Sequence, residues 1–119
     1  MRYMFLIYGE EPATPPSQEE LDAEMAEWWK YDNAIKESGL FLAGDALQPS
    51  QTATTVRLKG DERIVTDGPF AETREVLGGY YLIDAPDLDT ALDWAAKCPG
   101  AKYGSMEVRP VMEFDTPEQ

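Results

Sequence analysis

The chain contains no histidine. That removes the commonest general base near neutral pH, the commonest metal ligand, and every Ser-His or Cys-His arrangement. Cysteine occurs once, as Cys98, which excludes an intramolecular disulfide and any metal motif built on paired cysteines. No apolar run approaches the ~20 residues needed to span a bilayer. Met4 to Tyr8 is too short for a secretory leader, and Gly9-Glu10-Glu11-Pro12 follows at once. Bases are scarce, 10 against 23 acids, for a net charge of −13. Such a chain repels nucleic-acid phosphate and an anionic membrane surface. The expectation is a soluble cytoplasmic protein with no nucleic-acid partner, no membrane, no metal and no cofactor. Any catalysis falls to carboxylates, tyrosines, Arg, Lys or the one thiol.

What is present is enough for one domain. At 119 residues and 43% hydrophobic, the chain can bury a core. A single domain is expected over residues 1–112, with a loose tail over 113–119. Charge concentrates in residues 10–37, which hold nine acids against two lysines. A solvated helix face explains this more simply than an acidic docking surface.

Residues 2–8 read as a strand with apolar side chains on both faces, so both faces need cover. A Pro-rich loop follows. Ser17 with Glu20 three residues on makes a capping box, and a helix over 18–38 is closed by Gly39. At 100° per residue Leu21, Met25, Trp28 and Ile35 share a buried stripe, with Asp32 in its middle. Residues 40–47 read as a second strand. Residues 53–59 and 63–66 read as a hairpin about Gly60-Asp61. A two-residue turn sets Leu58 opposite Arg63. A three-residue loop sets Leu58 opposite Ile64 and Val56 opposite Thr66, which suits the apolar pattern better and is preferred. Residues 77–84 form a strand apolar on both faces. A helix runs from Pro86-Asp87 to about Lys97, ended by Pro99-Gly100, and residues 105–112 are the last strand.

The order β-α-β-(ββ)-β-α-β is α+β and ferredoxin-like, with an inserted hairpin. Its antiparallel sheet carries two helices, which cover one face. The large apolar residues left on the other face point to a homodimer packed through the open sheet face.

Several stretches, taken in order, resemble the YCII-related (YciI-like) family in its DGPF branch. They are Arg2 to Gly9, Gly44 to Pro49, Thr52 to Val56, Val65 to Thr73 with Asp67-Gly68-Pro69-Phe70 at its centre, Leu77 to Ile83, Leu88 to Ala96 and Val108 to Val111. The resemblance covers nearly the whole chain. It implies a ferredoxin-like subunit and a dimeric α+β barrel. Relatives often carry a histidine on the first helix, proposed to pair with an aspartate. That position falls near Trp28 here, so the dyad's chemistry does not carry over. Some members of the broader family are linked to ring cleavage or dehalogenation of muconate-like compounds. Others resemble accessory proteins of extracytoplasmic-function sigma factors.

The residues themselves nominate candidates. In Asp67-Gly68-Pro69-Phe70 the proline fixes one φ and restricts the glycine before it, which makes a rigid corner. Asp67 can accept turn N–H groups, and Phe70 is expected to anchor the loop to the core. The corner is a structural turn or a ligand loop. Gly78 and Gly79 inside a strand signal a bulge or a close approach by backbone or ligand. Asp45 and Arg109 share a sheet face only if register allows, and Arg109 then binds a carboxylate substrate or pairs with an acid of the chain. Asp32 is either buried and partnered or tuned as a general base. Trp28, Trp29, Tyr80 and Tyr81 are core and interface aromatics or the walls of an aromatic-substrate pocket. Cys98 lacks the positive setting that activates a thiol and reads as inert.

Two functions fit. The first is a cofactor-free enzyme moving a proton on a small organic acid, with Asp32, Asp45 or Asp67 as base and Arg109, Tyr80, Phe70, Gly78, Gly79 or Trp28 at the ligand. The second is a non-catalytic ligand-binding or regulatory partner, associated with a sigma factor.

Overall fold

The odd-numbered residues of the first strand decide where the core lies. In β1 (Arg2–Gly9), Tyr3 and Phe5 are buried, while Met4 and Leu6 on the opposite face are only half-buried. A computed structural model describes residues 1–115. After β1 come α1 (Gln18–Glu37), β2 (Phe41–Ala46), a 3-10 turn at Ser50–Thr52, β3 (Thr54–Lys59) and β4 (Glu62–Asp67). Then follow β5 (Val76–Asp84), α2 (Leu88–Lys97), α3 (Pro99–Tyr103) and β6 (Ser105–Pro110). The fold is α+β. The main sheet has the order β2-β5-β1-β6, and the β1–β5, β1–β6 and β2–β5 pairs are all antiparallel. This arrangement is consistent with a ferredoxin-like fold. The hairpin β3–β4 stands apart as a separate two-stranded ribbon.

Register carries the core from strand to strand. Tyr3 faces Ile83 and Phe5 faces Tyr81 on β5, and Val108 of β6 faces Phe5 from the other side. Tyr31 and Ile35 of α1 and Ala91 and Ala95 of α2 pack onto that same face, so both long helices cover one side of the sheet. Phe5, Ile35 and Ile83 are fully buried, each stabilising the fold by roughly 1.5–3 kcal/mol relative to exposure. Tyr31 stands edge-on to Tyr81 and to Trp94, and its hydroxyl donates to the Trp94 carbonyl at 2.9 Å.

Local signals fixed the helix ends. The Ser17 hydroxyl accepts from the Glu20 N–H at 3.1 Å, and Gly39 takes φ 81° after the C-cap. Asp87 caps α2 by accepting from the Thr90 N–H at 2.8 Å. The buried stripe of α1 differs from the expectation. Leu21 and Met25 are exposed, and the buried residues are Tyr31 and Ile35. Only the C-terminal half of the helix finds sheet and α2 to pack against, and α2 draws the contact line toward Tyr31. Residues 99–104, expected as a break, hold the short helix α3, with Pro99 in the first turn where its missing N–H costs nothing.

The hairpin corrects a second expectation. Leu58 faces Arg63 and Lys59 faces Glu62, which is the two-residue turn. Gly60 has φ 63° and, among the described residues, no non-glycine residue has positive φ, matching the glycine-first pattern of a type II′ turn. Turn geometry overrode apolar matching because no core of this subunit covers either face of the ribbon. Beyond β6, Arg2 holds Glu113 through two hydrogen bonds of 2.7 and 2.9 Å. The rest of the expected tail, from residue 116, lies outside the described residues. Among the described residues no helix is long and apolar enough to cross a membrane.

Candidate functional site

The corner at Asp67-Gly68-Pro69-Phe70 is rigid, as its sequence demands. Gly68 has φ 95°, its N–H donates to the Ala53 carbonyl at 2.7 Å, and its carbonyl accepts from the Thr55 hydroxyl at 2.8 Å. These bonds lock the corner to the start of β3. Phe70, however, does not anchor to the core: it is 77% exposed. The proline before it turns the chain outward over a gap between the hairpin base and the end of the main sheet.

That gap is an open cleft of about 610 Å³. Tyr8, Leu47, Val76 and Leu77 come from the sheet end, and Pro49, Ser50, Thr55, Pro69 and Phe70 from the hairpin base. The lining is mostly apolar, with several hydroxyls and Gln48, and with the Glu75 carboxyl, which accepts from the Ser105 hydroxyl at 3.0 Å. A smaller groove of about 260 Å³, lined by Thr55, Arg57, Thr66, Pro69 and Phe70, adjoins it. Phe70, Pro69 and Thr55 are common to both, so Phe70 divides an apolar compartment from one that holds a guanidinium. The rim is tied down: Glu11 accepts from the Ser50 N–H at 2.8 Å and from the Ser50 hydroxyl. Those bonds hold the Glu11 carboxyl below its ordinary range. Arg74 pairs with Glu10 on the same side.

The open sheet face holds Asp45. It lies opposite Tyr80, whose hydroxyl donates to Asp45 Oδ2 at 2.7 Å. This bond to a carboxylate raises the Tyr80 phenol above its ordinary value. Asp45 is two residues before Leu47 of the cleft, about 7 Å in an extended chain. Arg109 shares the open face but stands on β6, three strands from β2, which is about 14 Å away across the sheet. It lies 3.7 Å from Glu107. Asp45 and Arg109 therefore do not converge within one chain. Asp67 is exposed at the end of β4, and no described residue donates to its carboxylate.

Asp32 lies on the other side of the sheet. Its side chain is 19% exposed, pairs with Lys36 at 2.7 Å and accepts from the Tyr81 hydroxyl at 3.0 Å. Burial and this bond both raise the Tyr81 phenol. Of the two sequence alternatives for Asp32, buried or partnered structure and tuned base, the surroundings are those of a partnered structural carboxylate. Trp28 is half-buried against the same core and lies near Gly100. Gly79 is explained by packing: a Cβ there would sit 2.9 Å from the Asp45 carbonyl oxygen. Gly78 has no such neighbour, its nearest being the Ile7 carbonyl at 3.9 Å. Among the described residues no three acids or cysteines are grouped to hold a metal ion.

Sequence reasoning missed Tyr8, Leu47, Leu77 and Arg57. Arg57 was hidden by the assumed hairpin register. In the observed register it faces Ile64 on the ribbon face that also carries Thr55 and Thr66.

An antiparallel sheet with helices on one side, an inserted hairpin and a cleft at their junction define the class of subunit. The YCII-related domain matches residues 1–115, and the chain belongs to that family. It is also 41% identical over 114 residues to R00369, an uncharacterized protein of Rhizobium meliloti (strain 1021), covering 93% of this chain and 92% of that relative.

Proposed function

We propose that this YCII-related protein binds a small organic acid with an apolar body, as a homodimer packed through the open sheet face into a dimeric α+β barrel. The observation that carries the reading is the junction at Phe70. An apolar cleft of about 610 Å³ meets a groove lined by Arg57. A mostly apolar pocket with a few placed polar groups is the usual form of a small-molecule site. The apolar body takes the cleft and the carboxylate takes the guanidinium. Met4, Leu6, Tyr80 and Leu82 on the open face supply the apolar surface for a second copy.

Binding without chemistry is the better supported form of this reading. The chain has no histidine, and Asp32 is engaged by Lys36 and Tyr81. One observation favours a proton-transfer enzyme instead: Asp45, hydrogen-bonded by Tyr80, stands one pleat from Leu47 of the cleft. In that form Asp45 takes the proton and Tyr80 steadies its carboxylate, with no metal or cofactor. A sigma-factor partner has no supporting feature in the fold.

The test is a thermal-shift screen with aromatic and aliphatic carboxylic acids and their neutral amides. A ligand at 100 times its dissociation constant stabilises by about 2.7 kcal/mol. Stabilisation by an acid, reduced by Arg57→Ala and weaker for the matching amide, supports the site. No shift from any acid overturns it.

A further inference from the structure

We infer that the cleft takes an amino acid whose ammonium and carboxylate stand at opposite ends of an apolar body. Glu75 holds the ammonium, and Arg57 holds the carboxylate on the far side of Phe70. The inference rests on the organic-acid reading above and narrows its ligand class.

Place sets Glu75 apart. Acids without a cation are common in a chain of net charge −13, so an unpaired carboxylate by itself means little. Among the described residues that line the cleft, however, Glu75 alone carries a charge. It stands half-buried just before β5 and bonds to Ser105 at the start of β6, on the other side of β1. The Ser105 hydroxyl lies 3.0 Å from one carboxylate oxygen and 3.4 Å from the other. One hydroxyl brings one proton, so most of the roughly four acceptor sites of this carboxylate stay open. Among the described residues no Lys or Arg pairs with it.

A ligand that fills the cleft strips water from those open sites. An apolar body alone leaves the carboxylate without its hydration, which is unfavourable. An ammonium replaces that water with a charge-assisted hydrogen bond.

The hydroxyls of the cleft favour the same guest. Thr52 donates to the Pro49 carbonyl at 2.7 Å, Thr55 to the Gly68 carbonyl at 2.8 Å and Thr73 to the Glu75 carbonyl at 2.6 Å. Ser50 donates to the Glu11 carboxylate. Each has committed its one proton to the protein and keeps only lone pairs to offer. The other polar side chains of the lining, Tyr8, Gln48 and Thr54, are neutral. A carboxylate lodged in the cleft meets no positive charge there and is repelled by Glu75.

The carboxylate belongs in the adjoining groove. Arg57 lines the groove and not the cleft, and Glu75 lines the cleft and not the groove. The wall the two spaces share is Thr55, Pro69 and Phe70. An α-amino acid carries both charges on one carbon and satisfies one pole. A chain or ring between the charges satisfies both.

The experiment is titration calorimetry on the full chain with 8-aminooctanoate, 2-aminooctanoate, octanoate and octylamine, which share one straight chain. The 8-amino acid is expected to bind about tenfold or more tightly than octanoate. Glu75→Gln, which keeps an acceptor for Ser105, is expected to remove that advantage and leave octanoate as tight or tighter. Arg57→Ala is expected to weaken both acids and leave octylamine unchanged. A damaged fold weakens every probe, so the ratio between probes isolates the contact. Where Glu75→Gln does not fold, the wild-type ratios decide alone. Octanoate as tight as 8-aminooctanoate, or a Glu75→Gln protein that keeps the wild-type preference, overturns the inference and leaves the organic-acid reading standing. The 2-amino isomer binding as tightly as the 8-amino isomer overturns the end-to-end placement. Binding by none of the probes overturns both readings.

Discussion

The Tyr80 hydroxyl donates to the Asp45 carboxylate at 2.7 Å, across the β2–β5 pair and one pleat from the cleft. The bond keeps the phenol protonated, so its ionisation lies above the ordinary value. Site-resolved NMR of tyrosine ring carbons should show Tyr80 titrating above an ordinary tyrosine. Asp45→Asn should bring it back down. By linkage, whatever the pair adds to stability is complete below the unfolded tyrosine pKa and is lost as pH rises past it. A Tyr80 titration indifferent to Asp45→Asn would show that the pair does not persist in solution.

Gly78 and Gly79 are neighbours with different reasons to be small. At Gly79 an added methyl meets the Asp45 carbonyl oxygen at 2.9 Å, which is backbone and cannot swing away. Gly79→Ala should destabilise by about 1–3 kcal/mol. Gly78→Ala, with 3.9 Å to its nearest neighbour, should stay within about 0.5 kcal/mol. Urea denaturation of the two variants decides this. Equal losses would reject the packing account.

Asp32 is held from two sides, by Lys36 and by the Tyr81 hydroxyl. Asp32→Ala leaves that hydroxyl without its partner in a partly buried site and should cost about 1–3 kcal/mol. Tyr81→Phe leaves the carboxylate with Lys36 and solvent and should cost about 1 kcal/mol. Ligand stabilisation in the thermal-shift screen should survive both changes once the lower baseline is allowed for. Its loss in Asp32→Asn, with the fold intact, would return Asp32 to the site.

Cys98 is fully buried, and desolvation pushes its thiol up to about 11 from an ordinary value of 9.0. Between those values the unfolded chain gives up a proton that the folded chain keeps. Stability should therefore fall as pH rises through that window, by up to about 3 kcal/mol. Cys98→Ala should flatten that part of the curve. At pH 8 the native thiol should react with a disulfide reagent only as fast as the protein unfolds. Rapid labelling of native protein would contradict its burial.

Much of the fold was legible because its signals are local. Ser17 with Glu20, Asp87 before Leu88, and Gly39 announce helix ends through bonds made within a few residues. The alternation in Arg2 to Tyr8 announces a strand that needs cover on both faces. The hairpin register was not legible in the same way. Apolar matching of Leu58 with Ile64 presumes a face that is buried within the subunit, and this ribbon has none. The turn at Gly60 decided instead. Phe70 misled for a related reason: an aromatic after a fixed proline has a direction that only the course of the chain reveals.

Composition by itself removed histidine chemistry and an intramolecular disulfide, since those depend on which side chains exist. It also carried the local rules that make each element. Which carboxylates meet was decided by tertiary structure. Asp45 met Tyr80 because strand pairing set them opposite. Asp32 went to the other side of the sheet with Tyr81, and Arg109 went to the far strand. Distance across a sheet depends on strand order and pleat, and these are settled only when segments far apart in sequence pack together.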